Sequence, residues 1–573
     1  MTRFKQIVIY FLVLVVSAVL LFGINRIERT MDRQVEENHL RFEGNVNSAP
    51  PLVAITTMAL GSFRGLLADI LWLRANNLKD EGNYVETVQL ANWITDLQPT
   101  FSGMTVYLAW DMSYNISVTC ARKEDRWIWV QEGIKLIRDK ALAYNPEDPK
   151  LYAELAYTFM HKMGHIMDDA NQYYKTQWGL ALNRIIGERP DWQKYLGRPI
   201  GQEAFTKQWD EKHVIWTYDP AIKDFQQLLN TYIALNGMPE SFRSRLTAKE
   251  FEELDWTLRA NWLNKETRMV PEVIVEINEK YGEFDWRTME VQCIYWATMA
   301  LKKTPDHKDL QCERLITQSL AMSVLNGRFV YLSDSLVFVQ GNTERARAEN
   351  ERARAAFERV IQIPNLNLAP ATLDAYNAAY EENESSSFIS ARQNFYKDVI
   401  VLLYSYGYND TARDYYEAYK KDQKEIWEQN GIEPVPFKPF EKFASDEWQE
   451  DIKNASYMRL SGLIFSRLFE MYRYLSIGDL ETAGRLQEQA LYIYDDYMTN
   501  RVGDDEKISQ RTGLAPFEQY LQTSYIVLAG MLTPLEKAQL DANIAEIVRQ
   551  EEEARREAAE AAAAEAARQN RLR

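Results

Sequence analysis

The residues most able to do chemistry lie in one short run, MHKMGHIMDDANQYY, where His161 and His165 stand four apart and Asp168 and Asp169 follow three and four further on. On one continuous helix that spacing puts both imidazoles and a carboxylate on a single face. Two neutral imidazoles and a carboxylate form a donor set for a divalent transition metal. His161, His165 and Asp168 are therefore the candidate metal ligands. Gly164 interrupts the run where a turn between helices is expected, and the competing reading, ordinary packed or surface histidines, is the favoured one.

No other constellation competes. The chain has no G-x-S-x-G, no Walker-type phosphate loop, no dinucleotide fingerprint and no H-E-x-x-H. No catalytic residue, no cofactor-binding residue and no cofactor is assigned on that ground. The cysteines, Cys120, Cys293 and Cys312, are far apart and odd in number, which argues against a disulfide framework and for a buried apolar role. A net charge of −17 argues against a nucleic-acid partner, because neutralising phosphates needs clustered Lys and Arg.

The elements that must position these residues are helices. With 573 residues, 24 Gly and 18 Pro, the chain is long and poor in turn-formers, and its apolar residues recur at helical spacing in TMEVQCIYWATMALKK and CERLITQSLAMSVLNG. Several stretches also fit a period of about 34 residues, in which a pair of helices needs small residues at close approach and a stop at the end. A unit from Ala68 has Gly82 at the turn, Tyr84 on the second helix and Pro99 as the stop. A unit from Pro149 has Tyr152, Leu155, Ala156 and Phe159 on one face of its first helix. Downstream, Gly407 with Ala412 and Gly478 with Ala483 repeat the turn and the close-packed second helix, and ERARAAFERVIQIPN reads as another second helix.

With these residues the chain resembles the tetratricopeptide repeat family. In LADILWLRANNLKDEGNYVETVQLANWITDLQP, AWDMSYNISV and YGEFDWRTMEVQCIYWA it resembles uncharacterised membrane-anchored bacterial proteins carrying such repeats. The resemblance implies an all-α fold, an α-solenoid of tetratricopeptide-like helix hairpins, and a role in holding other proteins. It implies repeats at 52–182 and 346–530, flanking an irregular helical middle region at 183–345 that is either an inserted subdomain or diverged repeats. The tail, 531–573, is rich in Ala and Glu and reads as a solvated helix.

The N-terminal run Ile7 to Ile24 contains no charge and, at about 1.5 Å per residue, extends about 27 Å. It reads as an uncleaved signal anchor over 7–25, behind a cytoplasmic tail at 1–6 and ahead of a polar linker at 26–51; a cleaved signal peptide is the competing reading. The expectation is a single-pass protein of a bacterial inner membrane with its large domain on the periplasmic side. The expected function is a non-catalytic scaffold binding protein partners in the cell envelope, with a metal-dependent enzyme centred on His161, His165 and Asp168, or an accessory subunit of a membrane transporter, as alternatives.

Overall fold

The structure is a computed structural model of the chain, describing residues 63–99, 101–165, 167–210, 212–304, 309–331, 360–502 and 513–572 and the single positions 23, 26 and 33. The protein is all-α: the described residues are predominantly helical, and their one sheet is a two-stranded antiparallel ribbon. Two compact units are present, Met1–Thr105 with Lys140–Glu147, and Val106–Asp139 with Asp148–Arg573.

In the first unit, α1 (Phe63–Asp80) and α2 (Tyr84–Leu97) form a hairpin. Gly82 turns the chain at a φ of 76°, a left-handed conformation in which a side chain would be strained, and the Asn83 amide then donates to the Leu78 carbonyl at 2.8 Å to close α1. Ala75, Leu78 and Leu90 pack between the helices, with Leu71 against them. Pro99 follows directly on Gln98, which caps α2. The returning segment is tied on by polar contacts: Lys140 Nζ meets Asp96 at 2.9 Å, and the Tyr144 hydroxyl donates to the same carboxylate at 2.8 Å.

Further on, α3 (Ser102–Trp110), α4 (Lys123–Lys135) and α5 (Pro149–Tyr157) each run on into wider π-helical turns, at Asp111–Ile116, Leu136–Ala141 and Thr158–Gly164 respectively. An Asp-Pro pair starts α5: Pro149 is preset for the first helical turn, and the Asp148 carboxylate accepts from the Lys150 amide at 3.0 Å. Leu155, Ala156 and Phe159 are fully buried and Tyr152 nearly so. Beyond α6 (Asn171–Ile186), α7 (Met289–Lys302) is apolar around most of its circumference and is accordingly buried, packed between the α5 segment and α8 (Leu310–Asn326). Cys293 and Cys312 are buried thiols on α7 and α8. The described part of 183–345 holds α-helices of unequal length, from the 4 residues of Glu240–Arg243 to the 20 of Ala248–Thr267, and a short strand near its end.

Two further hairpins lie in the second unit. α9 (Ser386–Ser405) and α10 (Asn409–Gln429) turn at Gly407, with φ 81°; α11 (Tyr457–Ser476) and α12 (Leu480–Tyr497) turn at Gly478, with φ 83°. Ala412 and Ala483, near the start of each second helix, are 0% and 2% exposed, so the backbones approach where the side chain is smallest. The C-terminal helix α13 (Pro534–Leu572) opens on a reciprocal cap in which Thr533 and Glu536 bond each other's backbone amides.

Two expectations are corrected. The segment ending at Asn365 is not a helix over its described part: β2 (Val360–Ile363) pairs antiparallel with β1 (Arg328–Tyr331) in the register Arg328 to Ile363. Its β-branched residues suit a strand, Pro364 blocks a helical continuation, and Gly462 of α11 lets the Gln362 backbone approach where a Cβ would collide.

The second correction concerns the membrane. Segments 1–6 and 26–51, apart from Arg26 and Arg33, and the expected span 7–25, apart from Gly23, lie outside the described residues. Among the described residues no helix is long and apolar enough to cross a membrane. A crossing needs about 20 predominantly apolar residues, whereas even the apolar-faced α11 carries Arg459, Arg467, Glu470 and Arg473. The assignments to a single-pass inner-membrane protein, to a periplasmic domain and to the cell envelope are therefore withdrawn.

Candidate functional site

The two π-helical stretches at Asp111–Ile116 and Thr158–Gly164 bring Tyr114 against His161, with ring centroids 5.7 Å apart. π-helical turns are rare and recur at functional sites, because the extra residue per turn re-aims the side chains around it. Here they bound an open cleft of about 290 Å³ whose inner wall includes Tyr114, Arg126, His161, Lys162 and Asp168. Val118, Met167 and Asp169, all exposed, complete its lining. Gly133 makes the first of these turns possible: a Cβ there would run into Ser113 and the Ala109 carbonyl.

At the inner end sits Asp168, with both oxygens engaged. Oδ2 lies 2.5 Å from Lys162 Nζ and accepts from the Tyr174 hydroxyl at 3.4 Å; Oδ1 accepts from the Ala170 amide at 2.8 Å and lies 3.5 Å from Arg126. Burial pulls the Lys162 ammonium below its ordinary value against the opposing pull of Asp168. Lys162 also stands over the Tyr114 ring, 5.3 Å from its centre. The Tyr114 and His161 rings each have a further aromatic neighbour: Trp110 stacks on Tyr114 at 5.8 Å, and His161 stacks on Tyr157 at 4.9 Å.

Two polar atoms of the lining residues are buried without a hydrogen-bond partner, the Tyr114 hydroxyl and His161 Nδ1, and so is Oε1 of Glu154 on α5. Burial, with the neighbouring His165 and Lys162, lowers the His161 pKa and favours the neutral ring; burial also raises the Glu154 carboxyl and the Tyr114 phenol.

The expected ligand set is corrected by this geometry. The helix ends at Gly164 and His165 is extended, at φ −81° and ψ 150°, so the histidines do not continue onto one helical face with Asp168. Their rings lie 6.1 Å apart, and Asp168 is occupied by Lys162 and Arg126. Among the described residues no group of three or more His, Cys, Asp and Glu side chains could hold a metal ion. The sequence reading located the cleft through His161 and Asp168 but missed Tyr114, Arg126 and Lys162. The spacing of Trp110 and Tyr114 by one helical turn was a signal for half of the wall; nothing local signals that it meets His161.

A second polar cluster lies in the core. Lys175, fully buried, donates to Gln362 Oε1 at 2.9 Å and to Met458 Sδ at 3.3 Å, while the Gln362 amide reaches Glu290 at 3.4 Å. Burial pushes the lysine down to about 8 and the Glu290 carboxyl up. This network links α6, β2, α7 and α11 and reads as structural.

Compared with known proteins, the chain matches no family model, no curated protein and no solved structure.

Proposed function

We propose that this protein is a non-catalytic binding scaffold, built in part from tetratricopeptide-like helix hairpins, that holds another protein by an apolar helical face. The observation that carries the reading is the outer stripe of α1. Leu66, Ile70 and Leu73, at the spacing of successive helical turns, are 58%, 54% and 64% exposed, while Ala68, Ala75 and Leu78 pack inward. Contiguous exposed apolar side chains of this kind mark interaction surfaces, and a stripe at helical spacing suits the apolar face of a partner helix. The three glycine-turned hairpins support the same reading, since stacked helix pairs bury a continuous core and leave elongated surfaces free.

The test compares the native chain with a Leu66→Ser/Ile70→Ser/Leu73→Ser variant, each recovered by affinity purification from the cells that naturally make it. The scaffold reading expects a stoichiometric protein that co-purifies with the native chain and is lost from the variant, at unchanged helicity. Equal recovery of every bound protein by both chains overturns it.

A further inference from the structure

We infer that the partner seated on the outer face of α1 is a second copy of this chain, its own α1 lying parallel across a two-fold axis. The inference rests on the scaffold reading and names the occupant of that surface. Spacing carries the register. Leu66, Ile70, Leu73 and Asn77 follow one another at steps of four, three and four, which places Ile70 and Asn77 at the a positions of a heptad and Leu66 and Leu73 at d. All four are exposed, while Ala68 and Ala75, at the opposite f position, are 1% and 3% exposed.

The residue types within the heptad select the occupant. A β-branched residue at a with leucine at d favours a parallel two-stranded pair, and an asparagine at a single a position fixes its register. In that register each Asn77 meets Asn77 of the copy; any slip sets it against an apolar side chain. Charge agrees. In a parallel pair the g position of one helix lies beside the e position of the other, five residues further on, and here Asp69 stands at g and Arg74 at e. Asp69 is exposed, and its carboxylate has no ion pair or hydrogen bond among the described residues. The Arg74 side chain is 59% exposed and bonds Glu86 through one nitrogen, which leaves further N–H groups to reach Asp69 of the copy. An antiparallel pair instead puts the two Asp69 side chains on one flank and the two Arg74 side chains on the other.

Helix α1 is already held by its packing on α2, so association does not have to fold it, and a short heptad stripe suffices. From Leu66 to Asn77 the contact spans about 17 Å of helix. Such a patch is smaller than the interfaces of permanent dimers, so the copies exchange, and a monomer–dimer equilibrium in the micromolar range is expected.

Sedimentation velocity of the purified full-length chain over a concentration series tests the pair. The native chain should show a concentration-dependent dimer, at least about tenfold weaker in the Leu66→Ser/Ile70→Ser/Leu73→Ser variant at unchanged helicity. Asp69→Arg, which faces Arg74 of the copy, should weaken it several-fold. Asn77→Leu should tighten it and add larger species, because the polar layer that sets the two-stranded state is gone. Orientation is read by treating Leu66→Cys and Leu73→Cys chains, in a Cys120→Ser background, with oxidised glutathione. A parallel two-fold pair places both positions against their own copies, so both should give disulfide-linked dimers, while Val85→Cys, exposed on α2, should not. An antiparallel pair can bring together at most one of the two. The inference is overturned if the native chain stays monomeric up to about 0.3 mM, if its association equals that of the triple-serine variant, if Asp69→Arg or Asn77→Leu leaves it unchanged, or if the two cysteine positions do not both cross-link. A monomeric chain that still recovers from its own cells a different protein, lost from the triple-serine variant, sinks this inference alone. Equal recovery of every bound protein by both baits, untagged copies of the chain included, sinks the scaffold reading with it.

Discussion

Lys162 and Asp168 form an ion pair 2.5 Å long with side chains only 4% and 7% exposed, at a point where the π-helical end of α5 gives way to the turn into α6. A buried pair of this kind is a poor source of net stability, but breaking it from one side leaves an uncompensated charge out of water. Asp168→Asn is therefore expected to destabilise the chain by about 3 kcal/mol, read as a lower midpoint in urea or thermal unfolding. Combining it with Lys162→Met should recover part of the loss, because the stranded ammonium is removed as well. A variant as stable as the native chain would show that the pair is not desolvated.

The α11–α12 hairpin supplies two glycines six residues apart that should respond oppositely to the same substitution. Gly478 sits at φ 83° with open space around it, so Gly478→Ala meets no neighbour and suffers only the left-handed backbone, at a loss of about 1 kcal/mol. Gly484, inside α12, also has nothing within 4 Å of a Cβ, and there alanine should add about 0.5 to 1 kcal/mol. Thermal unfolding of the two variants should move in opposite directions; a shift of the same sign in both contradicts the turn geometry.

Lys175 gives the protein a pH dependence on the alkaline side. Its folded pKa of about 8 lies below the ordinary 10.5, so the unfolded chain binds the extra proton between those values. The fold is penalised in full below about 8, and the penalty fades as the pH rises toward 10.5. Glu290, the charged group facing the ammonium, softens the shift without reversing it. Lys175→Met removes the titration and keeps the length of the side chain. Its stability relative to the native chain should fall by about 3 kcal/mol between pH 7 and 10.5, measured by urea unfolding across that range. A constant difference would mean that the amine does not titrate in the core.

Local sequence determined a great deal of this protein. Apolar residues at helical spacing placed α7 and α8, because a helix buries the side chains that recur on its inner faces. Gly82, Gly407 and Gly478 marked hairpin turns, because those backbones take a conformation that other residues resist. Tertiary structure decided the rest. Whether Val360–Ile363 becomes a strand depends on Arg328–Tyr331 and on the gap left at Gly462, all remote in sequence. The candidate site depends on Tyr114 meeting His161 and on Arg126 and Lys162 converging on Asp168, and no local period encodes such encounters. The reading of two histidines and an aspartate as one helical face failed for the same reason: the helix ends at Gly164, and the aspartate's charge is satisfied by cations that only the folded chain brings within reach.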